Sequence, residues 1–169
     1  MSSFSNDRLV VLDEPTMIWA FLGSSSTFAT YPRPPARSSN PHADALGVAI
    51  HHRQWGLVVA HDQLKHVGDA LAETTGLSAP DVARFVAAIV ELTAVSRGGV
   101  LPAATGPVDG RFPPHVVRAA AAAACAEVDA LVLTDVDEAL RRRVAASMGG
   151  EPMWVCGPRL FSDLAPFLI

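Results

Sequence analysis

The sequence predicts an α/β domain: a three-layer α/β/α sandwich with a central parallel sheet. Three observations carry this. Short apolar runs that read as strands buried on both faces recur at 9–12, 55–60, 130–134 and 153–156. Between them lie segments with the apolar spacing of helices, and strands alternating with helices imply a parallel sheet covered on both sides. The chain is 169 residues and 17.8 kDa, half of it hydrophobic. That suits a single domain spanning 1–169, which buries about 70% of the surface its unfolded chain exposes.

The elements follow in order. Leu9-Val10-Val11-Leu12 is a buried strand ending at Asp13. Pro15 suits the first position of a helix through Met17, Ile18, Phe21 and Leu22. Residues 23–41, rich in Ser and Pro, read as a flexible surface loop carrying Arg33, Arg37 and Tyr31. A helix is expected from His42 to about Gln54, then a strand over Trp55–Ala60. His61 to Thr75 reads as a helix with Leu64, Val67 and Leu71 on one face and Gly76 as its stop. Ser78, with Asp81 three residues on, resembles a capped start. The helix behind it has apolar residues at 82, 85, 86, 89 and 90. Residues 96–114 are expected to be loop, because Gly98-Gly99, Gly106-Pro107 and Asp109-Gly110 are turn signals. Pro113-Pro114 opens a helix holding six alanines, 119–124, whose small side chains permit close packing. A third clear strand, 130–134, ends at Asp135. Asp137 and Glu138 start a helix that carries Arg141-Arg142-Arg143 and stops at Gly149, a charge order that suits the helix dipole. A strand at 153–156 and a helix at 160–167 close the chain.

Composition excludes several classes. Disorder throughout is excluded by the apolar content and a mean hydropathy of +0.27. A net charge of −4 removes a globally basic nucleic-acid binder and leaves a local basic strip open. No apolar run approaches the roughly 20 residues of a spanning helix, so no membrane is expected. Residues 1–7 are polar and do not read as a signal peptide. Cys125 and Cys156 form no CxxC pair and read as reduced core thiols of a cytoplasmic protein. HExxH, Cys/His finger spacings, GxGxxG and the P-loop pattern are absent from the sequence.

Binding crevices of parallel α/β sheets lie at the carboxyl ends of the strands. Asp13 and Asp135 each follow an apolar strand directly. If those strands are neighbours, both carboxylates enter one crevice. Two carboxylates about 4 Å apart repel by about 4 kcal/mol at an effective dielectric near 20, so such a pair needs a proton or a cation. Mg²⁺ takes a few carboxylates and keeps its waters, and a metal-bound water can attack a phosphodiester. The competing reading is that one or both aspartates cap the following helix.

With those residues in view, the sequence resembles a PIN domain, in particular the bacterial VapC-type nucleases. The carrying segments are VVLDEPTMIWAFLG (10–23), WGLVVAHDQLKHVGDAL (55–71), PPHVVRAAAAA (113–123), DALVLTDVDEAL (129–140) and MWVCGPRLFSDL (153–164). The resemblance implies a small α/β/α domain that gathers acids around Mg²⁺ or Mn²⁺ and cuts RNA. It also implies a homodimer and, in toxins, an antitoxin protein that occludes the site. Asp13 matches the acid after the first strand and Asp135 the last acid, with Asp137 or Asp109 as auxiliary metal ligands. Two family acids are missing: His66 stands at one position, and the stretch Phe112–His115 at the other. Either histidine is a possible substitute. The resemblance therefore carries two expectations: a divergent metal-dependent endoribonuclease, and a catalytically inactive module that binds RNA or a protein partner.

Other groups have two readings each. Asp62, His66 and Asp69 share a helix face and could offer a mixed site favouring Mn²⁺ or Zn²⁺, but that face lies opposite Leu64, Val67 and Leu71, as a solvated face does. His115 could meet a phosphate or Asp109, or fill a half-buried position. Arg33, Arg37 and Arg141 could grip an RNA backbone with Tyr31 stacked on a base, or belong to a loop and a solvated helix. Trp19, Trp55 and Trp154 read as core or groove residues.

Overall fold

The computed structural model describes residues 8–22, 37–104, 111–149 and 153–168. The chain runs β1 (Arg8–Leu12), α1 (Glu14–Leu22), α2 (Pro41–His51), β2 (Trp55–Ala60), α3 (His61–Thr75), α4 (Ala79–Val95), β3 (Gly99–Leu101), α5 (Pro114–Ala126), β4 (Ala130–Val132), α6 (Glu138–Ser147), β5 (Trp154–Cys156), α7 (Pro158–Leu164) and a 3-10 turn, Ala165–Phe167. The five strands form one sheet, ordered β3-β2-β1-β4-β5. Every pairing is parallel, with Val10 opposite Leu57 and Ala130 on its two sides.

Strand side chains alternate between faces, and two cores result. Val10 and Leu12 point into one core with Leu57, Val59, Leu46, Leu71, Ile89 and Phe161. Val11 points into the other with Val58, Leu131, Val116, Val144 and the alanines of α5. The alanine run is thus a packing surface: Ala119–Ala123 are buried, which brings α5 close to the sheet. Three layers are the necessary outcome, because β1 and β2 are apolar on both faces.

Strand order also locates the crevice. The chain leaves β1 toward β2 and β3 on one side, then returns to place β4 and β5 on the other. The order therefore reverses between β1 and β4. In open parallel sheets that switch point, at the carboxyl ends of the strands, is where ligands bind.

Several expectations need correction. Residues 96–114 contain β3, a three-residue edge strand. Its two exposed or half-exposed faces and its Gly99 hide it from a search for apolar runs. Gly98 sets its approach: an added Cβ would fall 1.7 Å from Leu57 O, so only glycine lets this turn meet β2. Helix α2 stops at His51 rather than near Gln54; Asn40 caps its start through Oδ1, which accepts from His42 N and Ala43 N. The last helix begins at Pro158 and ends in the 3-10 turn. Cys125 is exposed, on the outer side of the alanine helix, and is no core thiol; Cys156 is buried and its thiol is pushed up to about 12 by burial. Trp19 is 54% exposed, whereas Trp55 is buried and meets Phe161 edge-on at 5.1 Å. The Ser78 cap is present, its Oγ accepting from Asp81 N, and Gly76 ends α3 at φ 64°. Arg33, Tyr31 and Asp109 lie outside the described residues, as does most of the 23–41 loop. Among the described residues no helix is long and apolar enough to cross a membrane.

Candidate functional site at the carboxyl edge of the sheet

Asp13 leaves β1 still in the ladder, its N–H donating to Val132 O at 3.0 Å. The next residue starts α1, so the carboxylate turns back over the helix entrance. Oδ1 accepts from Thr16 N at 3.0 Å and from Thr16 Oγ1 at 2.5 Å. That is a helix cap. Across the strand pair, Oδ2 accepts from Thr134 N at 2.7 Å, and Thr134 Oγ1 lies 3.2 Å from Oδ1. The two threonine hydroxyls are 2.5 Å apart. Asp13, Thr16 and Thr134 are all buried. The result is a clasp that ties the start of α1 to the exit of β4. Burial raises the Asp13 pKa above the ordinary carboxylate value; the bonds from Thr16 and Thr134 and the field of His115 pull the other way.

Glu14 is buried beside it and meets Arg118 of α5. Arg118 Nε donates to both carboxylate oxygens, at 3.1 and 3.0 Å, and Nη2 donates to Oε1 at 2.6 Å. Burial again raises the pKa, opposed by Arg118 and by the fields of His66 and His115. The two histidines at the missing acid positions therefore sit within electrostatic reach of the β1 exit, on α3 and at the start of α5. His66 is exposed and His115 half-buried.

Asp135 follows β4 with φ at 52°, a left-handed conformation that Asp tolerates better than most residues. Its side chain is exposed and makes no hydrogen bond or ion pair among the described residues. It faces a cleft of about 460 Å³ whose walls include His42, Thr134, Arg141, Arg159 and Asp163. His42, near the start of α2, feels both Asp13 and Asp135; burial lowers its pKa and those two carboxylates oppose the shift. The arginines around the crest are engaged. Arg141 Nη2 donates to Glu138 at 2.9 Å, Arg159 Nη1 to the buried Asp44 at 2.7 Å, and Arg37 Nη1 lies 3.2 Å from Asp163.

β1 and β4 are neighbours, but β4 ends at Val132 rather than at Thr134, so Asp13 directly follows its strand whereas Asp135 stands beyond Leu133 and Thr134 at the same end of the sheet. The described residues at this edge do not assemble a metal centre. Among the described residues, no group of three or more His, Cys, Asp and Glu is placed to hold a cation. A carboxylate offers about four acceptor sites, and Asp13 directs its oxygens at two backbone N–H groups and two hydroxyls. Asp137 caps α6, accepting from Leu140 N at 2.7 Å. Asp62 is half-buried and accepts from Gln63 N, while His66 and Asp69 are exposed, so the stripe on α3 is a solvated face. For Asp13 and Asp137, capping is what the carboxylates do.

Sequence reasoning missed Glu14, Thr16, His42, Arg118 and Thr134. One signal was available: Arg118 is a lone charge entering an alanine helix, and a charge at a helix–sheet interface needs a partner. The spacing Asp-x-x-Thr at 13–16 was a second, being that of a cap. His42 carried no sequence signal.

The fold and crest define a parallel α/β domain with a switch-point crevice. No protein-family model matches the chain, and neither a curated protein nor a solved structure matches it.

Proposed function

We propose that this chain is a PIN-like domain working as a binding module, with its crest turned from metal chemistry to the capture of a basic side chain on a protein partner. The observation that carries the reading is the state of the crest charges. Asp13 is engaged by Thr16 and Thr134, whereas Asp135 is exposed beside a cleft and lacks an ion-pair partner among the described residues. RNA phosphates would need unengaged cations, yet Arg37, Arg118, Arg141 and Arg159 each already hold a carboxylate. An arginine or lysine entering the cleft would meet Asp135, and its stem would lie along Leu160 and Pro158.

The test has two arms. Short RNA is incubated with the protein in Mg²⁺ and in Mn²⁺, beside Asp13→Asn and Asp135→Asn. An arginine-bearing peptide is titrated separately while the His42 ring resonances are followed. The expected results are no metal-dependent cleavage, and peptide-induced shifts at His42 that vanish in Asp135→Asn. Metal-dependent cleavage lost in both variants would restore the endoribonuclease expectation instead. Tight RNA binding with no peptide response would assign the crest to nucleic acid.

A further inference from the structure

A cavity of about 450 Å³ opens at the amino edge of the sheet, the end away from the crest. That volume is in the range of small-molecule sites. It lies where α5 runs into β4 and α6 into β5. Its apolar lining is Ala123 and Val128, both buried, with the half-buried Met148 and Met153. Methionine is unbranched and polarizable, so this lining can adapt to the shape of a ligand. Two exposed carboxylates, Glu127 and Asp129, complete it.

The charges that line this cavity have one sign. Helices α5 and α6 both end on it, since Glu127 is the C-cap of one and Met148 of the other. A helix C-terminus carries about half a negative charge, and a Lys, Arg or His in the last turn commonly offsets it. Neither helix has a basic residue in its last turn. Glu127 adds a carboxylate at the end of α5, at φ 51°, where glycine is the ordinary residue. Asp129 is held in place: its N–H donates to Leu9 O, its carbonyl accepts from Trp154 N, and Oδ2 accepts from Leu9 N at 2.9 Å. No cationic side chain lines the cavity, and neither carboxylate is in an ion pair among the described residues.

The chemistry of the lining selects the ligand. A hydrated cation such as Mg²⁺ would gain nothing from methyl and thioether walls. A quaternary ammonium is best held by an aromatic cage, and no aromatic ring lines this cavity. A primary ammonium suits both halves: its three N–H donors meet the carboxylates, and its carbon chain lies against Ala123, Val128 and the two methionines. We propose that this cavity binds a small primary amine with an apolar body, an alkyl- or arylalkylammonium, through Glu127 and Asp129. The site is at the opposite end of the sheet from the crest, so its failure would leave the proposed function untouched.

Titration of the full chain with n-hexylamine tests this, following isotope-labelled methionine methyl resonances. Saturable shifts are expected at Met148 and Met153, with none at Met17 in the core or at the His42 ring on the crest. The alcohol n-hexanol, which has the same body without the charge, should bind about tenfold more weakly or worse. Glu127→Gln/Asp129→Asn should weaken n-hexylamine by a similar factor and leave n-hexanol unchanged, which shows the cavity intact; Asn at 129 keeps an acceptor for Leu9 N. Absence of a saturable shift through the millimolar range overturns the proposal. So does equal affinity for n-hexylamine and n-hexanol, or unchanged n-hexylamine binding in the double variant. Binding of Nα-acetyl-lysinamide as tight as that of n-hexylamine would overturn the assignment to a free amine, because a lysine side chain on a protein would then serve equally well.

Discussion

Asp13→Ala is expected to lower folding stability by about 3–5 kcal/mol, because it leaves buried donors without an acceptor, each costing about 1–3 kcal/mol. Those donors are Thr16 N at the entrance of α1 and Thr134 N at the exit of β4. The hydroxyls of Thr16 and Thr134 still have one another. Equilibrium urea denaturation measures the loss, with Asp135→Ala as the control: its exposed carboxylate makes no bond among the described residues, so little change is expected. The pH dependence has a definite sign. Burial raises the Asp13 pKa in the folded state. The folded state therefore holds the proton longer than the unfolded chain does. This stability is fully present below the ordinary carboxylate value and is lost as pH rises through the raised one. The gap between the unaltered protein and Asp13→Ala should accordingly be widest in acid and narrow as pH rises. Comparing the two proteins at each pH cancels the contributions of groups outside the field of Asp13. A gap that widens with rising pH would show instead that the bonds from Thr16 and Thr134 outweigh burial.

Arg118→Met is the second large expectation. Glu14 is buried, its side chain 6% exposed, and Arg118 supplies its side-chain hydrogen bonds among the described residues through three contacts. Removing one member of a buried pair typically costs about 3–5 kcal/mol, because the other charge is left unpaired. Replacing both should cost far less. The expected outcome is a large destabilisation in Arg118→Met, and substantial recovery in Glu14→Leu/Arg118→Met, measured in the same denaturation series. Additive losses in the double variant would show that the pair does not act as a unit.

Much of the architecture is legible in the sequence, because two-sided burial leaves a plain mark. Leu9–Leu12, Trp55–Ala60 and the run around Leu131 are apolar without alternation, and only a covered parallel sheet accommodates that. Strand β3 escapes for the opposite reason: three residues at an edge, one of them glycine, need no apolar run. The crest is legible in part. Asp13 and Asp135 announce themselves by following apolar runs, and both stand toward the carboxyl ends of the neighbouring strands β1 and β4. What each carboxylate does depends on donors far away in sequence. Thr134 reaches Asp13 across 121 residues, and Arg118 reaches Glu14 across 104. No local pattern encodes either contact. Asp137 shows the same limit, since a cap and an auxiliary ligand look alike until the N–H of Leu140 is seen to occupy it.

The central claim is that the Asp13 carboxylate is an internal clasp and Asp135 a lone surface charge, not two ligands of one cation. Thermal unfolding across a Mn²⁺ titration tests it most directly. A cation bound only by the folded state would stabilise it by about 2.7 kcal/mol at a hundred times its dissociation constant. The expected result is a melting temperature that does not move with Mn²⁺ through the millimolar range, in the unaltered protein and in Asp135→Asn alike. A rise with Mn²⁺ that disappears in both Asp13→Asn and Asp135→Asn would contradict the account.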